Sequence, residues 1–131
     1  MRKLTALVLA LAVTVAACGT AAEGTVTLLD PEASEQLIES TQDLVVLDVR
    51  TPEEVAAGAL PGAINIDLSS PDFTSQVAEL DRDVPYFVYC RSGNRSAQAV
   101  KIMQDLGFTE IYELDGGILD WAEAGGHLTV G

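Results

Sequence analysis

Tyr86-Phe87-Val88-Tyr89-Cys90-Arg91-Ser92-Gly93-Asn94-Arg95-Ser96 runs from an apolar segment through one cysteine into a short polar loop, and a helical pattern starts directly after it. The order is strand, tight loop, helix N-terminus, wrapped around one thiol. Successive backbone N–H groups of such a loop converge on the sulfur, and the helix macrodipole adds partial positive charge. Arg91 and Arg95 add full charge, so the thiolate is favoured over the thiol. A buried structural cysteine is the bland alternative, since free cysteine packs as a small hydrophobe. Two arginines and a Ser-Gly-Asn turn are poor company for a core position.

The elements on either side alternate strand and helix. Thr25 to Leu29 alternates polar and apolar residues as a strand does, and Asp30 caps a helix that has Pro31 at its first position and runs to Ser40. Leu44 to Val49 is the nearly continuous apolar run of a buried parallel strand, and Thr51-Pro52 opens a short helix that Gly58 ends. Ile64-Asn65-Ile66 reads as a short strand and Ser70-Pro71 as the start of a helix toward Leu80. A helix from Ser96 to Leu106, ended by Gly107, follows the cysteine loop; Ala99, Val100, Ile102, Met103 and Leu106 form its core stripe. Thr109 to Leu114 is the last strand, before Gly116-Gly117 and a final helix. The pattern predicts one α/β domain, a parallel five-stranded sheet with helices on both faces. Ligands of such sheets bind at the carboxyl ends of strands, where Asp48, Arg50 and Cys90 all fall.

Four residues separate Cys90 from Arg95, which closes a small ring of amides suited to a single sulfur atom carried as a persulfide. Cysteine-dependent phosphatases use five, a wider cradle for three phosphoryl oxygens. The loop resembles that of rhodanese-like sulfurtransferases, and three further segments agree in order. Leu47-Asp48-Val49-Arg50 with Glu54 is similar to that family's Asp-Val-Arg strand end and following Glu. Gly58-Ala59-Leu60-Pro61-Gly62-Ala63-Ile64-Asn65 resembles its Gly-His-Ile-Pro-Gly-Ala-Ile-Asn segment, and Leu114-Asp115-Gly116-Gly117 with Trp121 its closing Gly-Gly and Trp. Ala59 stands where the family usually has His, and Val55 where it often has an aromatic residue.

The resemblance implies a sulfurtransferase in which Cys90 is the nucleophile and Arg91, Ser92, Gly93, Asn94, Arg95 and Ser96 form the substrate-binding loop. Asp48, Arg50 and Glu54 would support it, with Arg50 and Glu54 as an ion pair. One of Arg91 and Arg95 would face the donor and the other brace the loop; the sequence does not distinguish them. The expected partners are a small anionic sulfur donor such as thiosulfate and a thiol or cyanide acceptor, with a protein acceptor as a further option. Two other classes stay open: a non-enzymatic persulfide carrier or redox sensor, and, disfavoured by ring size, a phosphatase or arsenate reductase.

The N-terminus carries a separate signal. Met1-Arg2-Lys3 is a positive region, and Leu4 to Val15 is an apolar stretch too short to span a bilayer. Val15-Ala16-Ala17-Cys18 then resembles a bacterial lipobox. The expected organisation is a signal peptide over residues 1–17, a lipidated Cys18 and tether over 18–24, and the domain over 25–131. Two acyl chains on Cys18 would supply stable anchoring at the cell membrane, with the domain on the extracytoplasmic side. Cys18 and Cys90 are the chain's two cysteines, so a lipidated Cys18 leaves Cys90 as a lone reactive thiol.

Charge narrows the partners further. The chain has 7 basic and 20 acidic residues, and removing Arg2 and Lys3 with the signal leaves 5 against 20. Nucleic acid is therefore not an expected partner, since a polyanion would be repelled by the surface. With one histidine, His127 in the C-terminal tail, and no spare cysteine, neither a metal site nor a cofactor is expected.

Overall fold

The computed structural model describes residues 24–131, so the expected signal peptide, the expected lipidation site Cys18 and most of the expected tether lie outside the described residues. The elements are β1 Thr25–Leu29, α1 Pro31–Ser40, β2 Val45–Asp48, α2 Pro52–Ala57 and β3 Ile64–Asn65, followed by α3 Phe73–Ala78, β4 Tyr86–Tyr89, α4 Asn94–Asp105, β5 Glu110–Leu114 and α5 Gly117–Glu123. The five strands form one parallel sheet in the order β1-β5-β4-β2-β3, which places β4, the strand leading to Cys90, at its centre.

Strand periodicity divides the core. Tyr86, Val88 and Cys90 turn to one face with Leu47 and Ile111, and pack against Phe73 and Val77 of α3 and Ala99, Val100 and Met103 of α4. Phe87 and Tyr89 turn to the other with Val46 and Leu114, against Leu37 and Ile38 of α1 and Ile118 and Trp121 of α5. All four residues of β4 are buried, as a strand covered on both faces requires. The caps work as their residue types dictate. Asp30 Oδ1 accepts from Ala33 N at 2.8 Å, and Thr51 Oγ1 from Glu54 N, with Pro31 and Pro52 at the first helical positions.

Two helix starts differ from expectation. Ser70 and Pro71 form a turn, in which Ser70 Oγ accepts from Asp72 N, and α3 begins only at Phe73. Helix α4 begins at Asn94 rather than Ser96, because Gly93 adopts φ 110° and its carbonyl already accepts the helical bond from Ala97 N. The C-terminal tail is pinned: Thr129 and Ala59 exchange backbone hydrogen bonds at 2.8 and 2.9 Å, and Trp121 Nε1 donates to His127 O at 3.0 Å. Ala59 thus joins the site's floor to the tail through its backbone, while the His127 side chain is exposed.

Candidate active site

Cys90 follows the last residue of β4 and is 1% exposed. The loop then turns back over it: Gly93 N donates to Cys90 Sγ at 3.1 Å, and Ser96 Oγ lies 3.4 Å from the same sulfur. Burial pushes the thiol up, but the Ser96 hydroxyl and the backbone N–H groups of Ser96, Gly93 and Ser92 outweigh it, so the thiol lies below its ordinary value. Of the expected ring of amides, Gly93 N–H is the one hydrogen-bonded to the sulfur. The share assigned to arginine charge is smaller than expected, because Arg95 is compensated by a carboxylate.

That carboxylate is Glu54. Arg95 Nη1 and Nη2 donate to Glu54 Oε1 and Oε2 at 2.7 and 2.8 Å, a two-pronged pair that ties the cysteine loop to α2. The Arg95 hydrogen bond holds the Glu54 carboxyl at about 2. The expected Arg50–Glu54 ion pair is not formed. Arg50 instead grips Asp48, Nη2 to Oδ2 at 2.6 Å and Nε to Oδ1 at 3.0 Å, and reaches Glu54 only at its backbone carbonyl, 3.4 Å away. The physical reason is reach and burial. Asp48 is fully buried two residues before Arg50 and needs a partner there, whereas Glu54 on the first turn of α2 projects over the loop.

The supporting layer below the site is continuous. Arg50 Nη2 also donates to Gly58 O at 2.7 Å, and its guanidinium lies over the Tyr89 ring at 5.5 Å. Tyr89 Oη accepts from Leu60 N at 3.0 Å, and Asn65 Nδ2 donates to the carbonyls of Asp48 and Arg50. In the sequence Tyr89 and Asn65 look like ordinary strand residues; the sheet register is what brings them beside Arg50 and Asp48. From the other side, α5 holds the loop backbone, Ile118 N donating to Cys90 O at 2.9 Å and Leu119 N to Arg91 O at 3.2 Å.

The six loop residues divide clearly. Ser96 is buried, and Gly93 and Arg95 are half-buried. Arg91, Ser92 and Asn94 are exposed, and the Arg91 side chain has no hydrogen-bond or ion-pair partner among the described residues. Glu113, which sequence reasoning also missed, accepts from Ser96 Oγ at 2.7 Å and is 8% exposed. Its signal was available: a carboxylate two residues after Ile111, on the face of β5 that turns inward.

Residues 30–124 match the rhodanese-like domain model. The chain belongs to the rhodanese-like family. A sulfurtransferase of Allochromatium vinosum is 36% identical over 97 residues, covering 74% of this chain and 89% of that protein. A thiosulfate sulfurtransferase of Pseudomonas aeruginosa is 38% identical over 92 residues, covering 70% and 79%. Among solved structures, a rhodanese-related protein of Thermoplasma volcanium superposes with a TM-score of 0.71 at 33% identity, covering 80% of this chain and 99% of that one. Membership of this family of sulfur-transfer proteins implies a sulfur donor and a sulfur acceptor.

Proposed function

We propose that this rhodanese-like protein is a thiosulfate-type sulfurtransferase working through a Cys90 persulfide. The Cys90 thiolate attacks the outer sulfur of thiosulfate; the sulfur–sulfur bond of the donor breaks, and sulfite leaves with the electron pair. A thiolate or cyanide acceptor then attacks the outer sulfur of the persulfide and Cys90 departs as thiolate. No general base is needed at either step, because both attacking groups are anions and sulfite leaves unprotonated. Covalent catalysis in two half-reactions gives ping-pong kinetics.

The observation that carries this reading is the Gly93 N–H aimed at a buried sulfur in a ring with four residues between Cys90 and Arg95. Donors fixed in that ring stabilise the negative charge that moves onto and off the inner sulfur. Lowering a thiol from about 8.5 to about 7 is worth only about 2 kcal/mol, and lower nucleophilicity removes part of that gain. Fixed donors at the sulfur are therefore the larger lever. Arg95, clamped to Glu54, braces the loop, and Arg91 at the exposed rim meets the oxygens of the anionic donor.

The lipobox-like Val15-Ala16-Ala17-Cys18 supports a second part of the proposal, that the protein is lipid-anchored at Cys18 on the extracytoplasmic side of the cell membrane. Detergent partitioning tests this: wild type enters the detergent phase and Cys18→Ala the aqueous phase, and aqueous wild type would contradict it. The enzymatic part is tested by turnover of thiosulfate with cyanide against hydrolysis of p-nitrophenyl phosphate. The first should proceed and be abolished in folded Cys90→Ser, and the second should not. Sulfur transfer surviving in that variant, or phosphate hydrolysis outpacing it, would overturn the assignment.

A further inference from the structure

A carboxylate buried behind a nucleophile is costly unless it is hydrogen-bonded, paired or protonated. Glu113 is 8% exposed and reaches Cys90 only through Ser96, whose hydroxyl is the centre of a three-way contest. Ser96 Oγ lies 2.7 Å from Glu113 Oε1, 3.0 Å from Gly93 O and 3.4 Å from Cys90 Sγ. A serine hydroxyl has one proton to give. The Gly93 carbonyl can only accept, so which neighbour receives the proton depends on the protonation of Glu113 and Cys90.

We propose that Glu113 sets the ionisation of Cys90 through Ser96, as a positioning residue that decides which way the Ser96 proton points. This rests on reading Cys90 as the nucleophile. When Glu113 is ionised, the short contact takes the Ser96 proton and leaves an oxygen lone pair facing sulfur, an arrangement that suits a thiol donating S–H to Ser96. When Glu113 is a carboxylic acid, it donates to Ser96 Oγ, and the hydroxyl proton turns to sulfur and stabilises the thiolate. The two states interconvert with atoms balanced. The thiol proton passes to Ser96 Oγ as the serine's own proton passes to Glu113 Oε1, and one negative charge moves from carboxylate to sulfur. No water is required, which matters for a cysteine 1% exposed.

The surroundings of Glu113 favour its acid form. Its neighbours across the sheet are Leu28 of β1 and Val88 of β4, and α4 presents Ser96. The titratable groups that bear on it are Cys90 at the end of β4 and Asp115 just beyond β5; Arg95 on α4 is turned away to Glu54. Burial pushes the Glu113 carboxyl up, Asp115 adds to this, and the Ser96 hydrogen bond opposes it without cancelling it.

The test is the rate at which iodoacetamide labels Cys90 across pH, read on the Cys90 peptide by mass in the full chain, with no sulfur donor present. Glu113→Gln removes the competing charge, and its amide donates to Ser96, so the titration midpoint should fall by about one pH unit, a tenfold gain in thiolate below the midpoint. In a Ser96→Ala background the same substitution should move the midpoint by less than about half as much, since the connection is gone. An unmoved midpoint in Glu113→Gln, or equal shifts in both backgrounds, would overturn the proposal. Wild type provides a check that needs no variant: a shared proton makes its labelling curve rise in two steps, and a single step would overturn it. Absence of sulfur transfer would refute the function proposed above while leaving this titration readable.

Discussion

Gly117→Ala should disable the active site from the opposite side of the loop. Gly117 opens α5 at φ 66°, and a Cβ there would lie 2.4 Å from Arg91 O, 2.5 Å from the same carbonyl carbon and 2.7 Å from Cys90 O. These are backbone atoms, and Cys90 O is held by Ile118 N at 2.9 Å, so no side chain can swing aside. Reaching ordinary contact requires the Arg91 carbonyl to retreat by roughly 1 Å. Misplacement of about 1 Å costs on the order of 100-fold in rate. Gly116→Ala is the matched control. It has a similar φ of 74°, but the three atoms nearest its Cβ all belong to the side chain of exposed Asp120, whose carboxylate can rotate away while its own Cβ, at 2.8 Å, needs a shift of a few tenths of an ångström, and none of the three belongs to the Cys90 loop. Both variants incur left-handed strain of about 1–2 kcal/mol, measurable by denaturant unfolding. Only Gly117→Ala should also lose kcat/KM for thiosulfate by about 100-fold, with Gly116→Ala staying within about threefold of wild type. A folded Gly117→Ala within threefold of wild type would refute the argument that α5 fixes the loop backbone, as would equal losses in the two variants.

Tyr89→Phe leaves the buried Leu60 N–H without its acceptor and should cost about 1–3 kcal/mol, read as a lower denaturant midpoint at unchanged slope. Glu54→Gln breaks the Arg95 clamp, and because both side chains are about 30% exposed the loss should be about 1 kcal/mol at pH 7. The Glu54 carboxyl is depressed to about 2 in the folded chain, so this stability is present above the ordinary carboxylate range and is lost as pH falls through about 2. The stability gap between wild type and Glu54→Gln should accordingly close on acidification, and a gap independent of pH would exclude the ion pair as its source.

Element types were legible because the apolar runs were long and the caps conventional. Asp30-Pro31 and Thr51-Pro52 announce helices through a side-chain acceptor and a residue that lacks only an N–H the helix does not need there. Ser70-Pro71 carries the same pattern and does not cap α3, because the Ser70 hydroxyl closes a turn onto Asp72 instead. At the site, the Cys90 loop could be read from spacing, since its geometry is local. The pairing of charges could not: Arg50 had Asp48 two residues before it and Glu54 four after, and only the burial of Asp48 decides between them. Glu113 and Asn65 act on the site from distant strands, so their roles depend on sheet order and register.

The central claim is that Cys90 carries the transferred sulfur, and the most direct measurement is the intact mass of the Cys90 peptide after brief thiosulfate treatment without acceptor. The account predicts a gain of one sulfur on that peptide, absent in Cys90→Ser and removed when cyanide is added. An unchanged mass from protein that is folded and consuming thiosulfate, or a sulfur found on another residue, would contradict it.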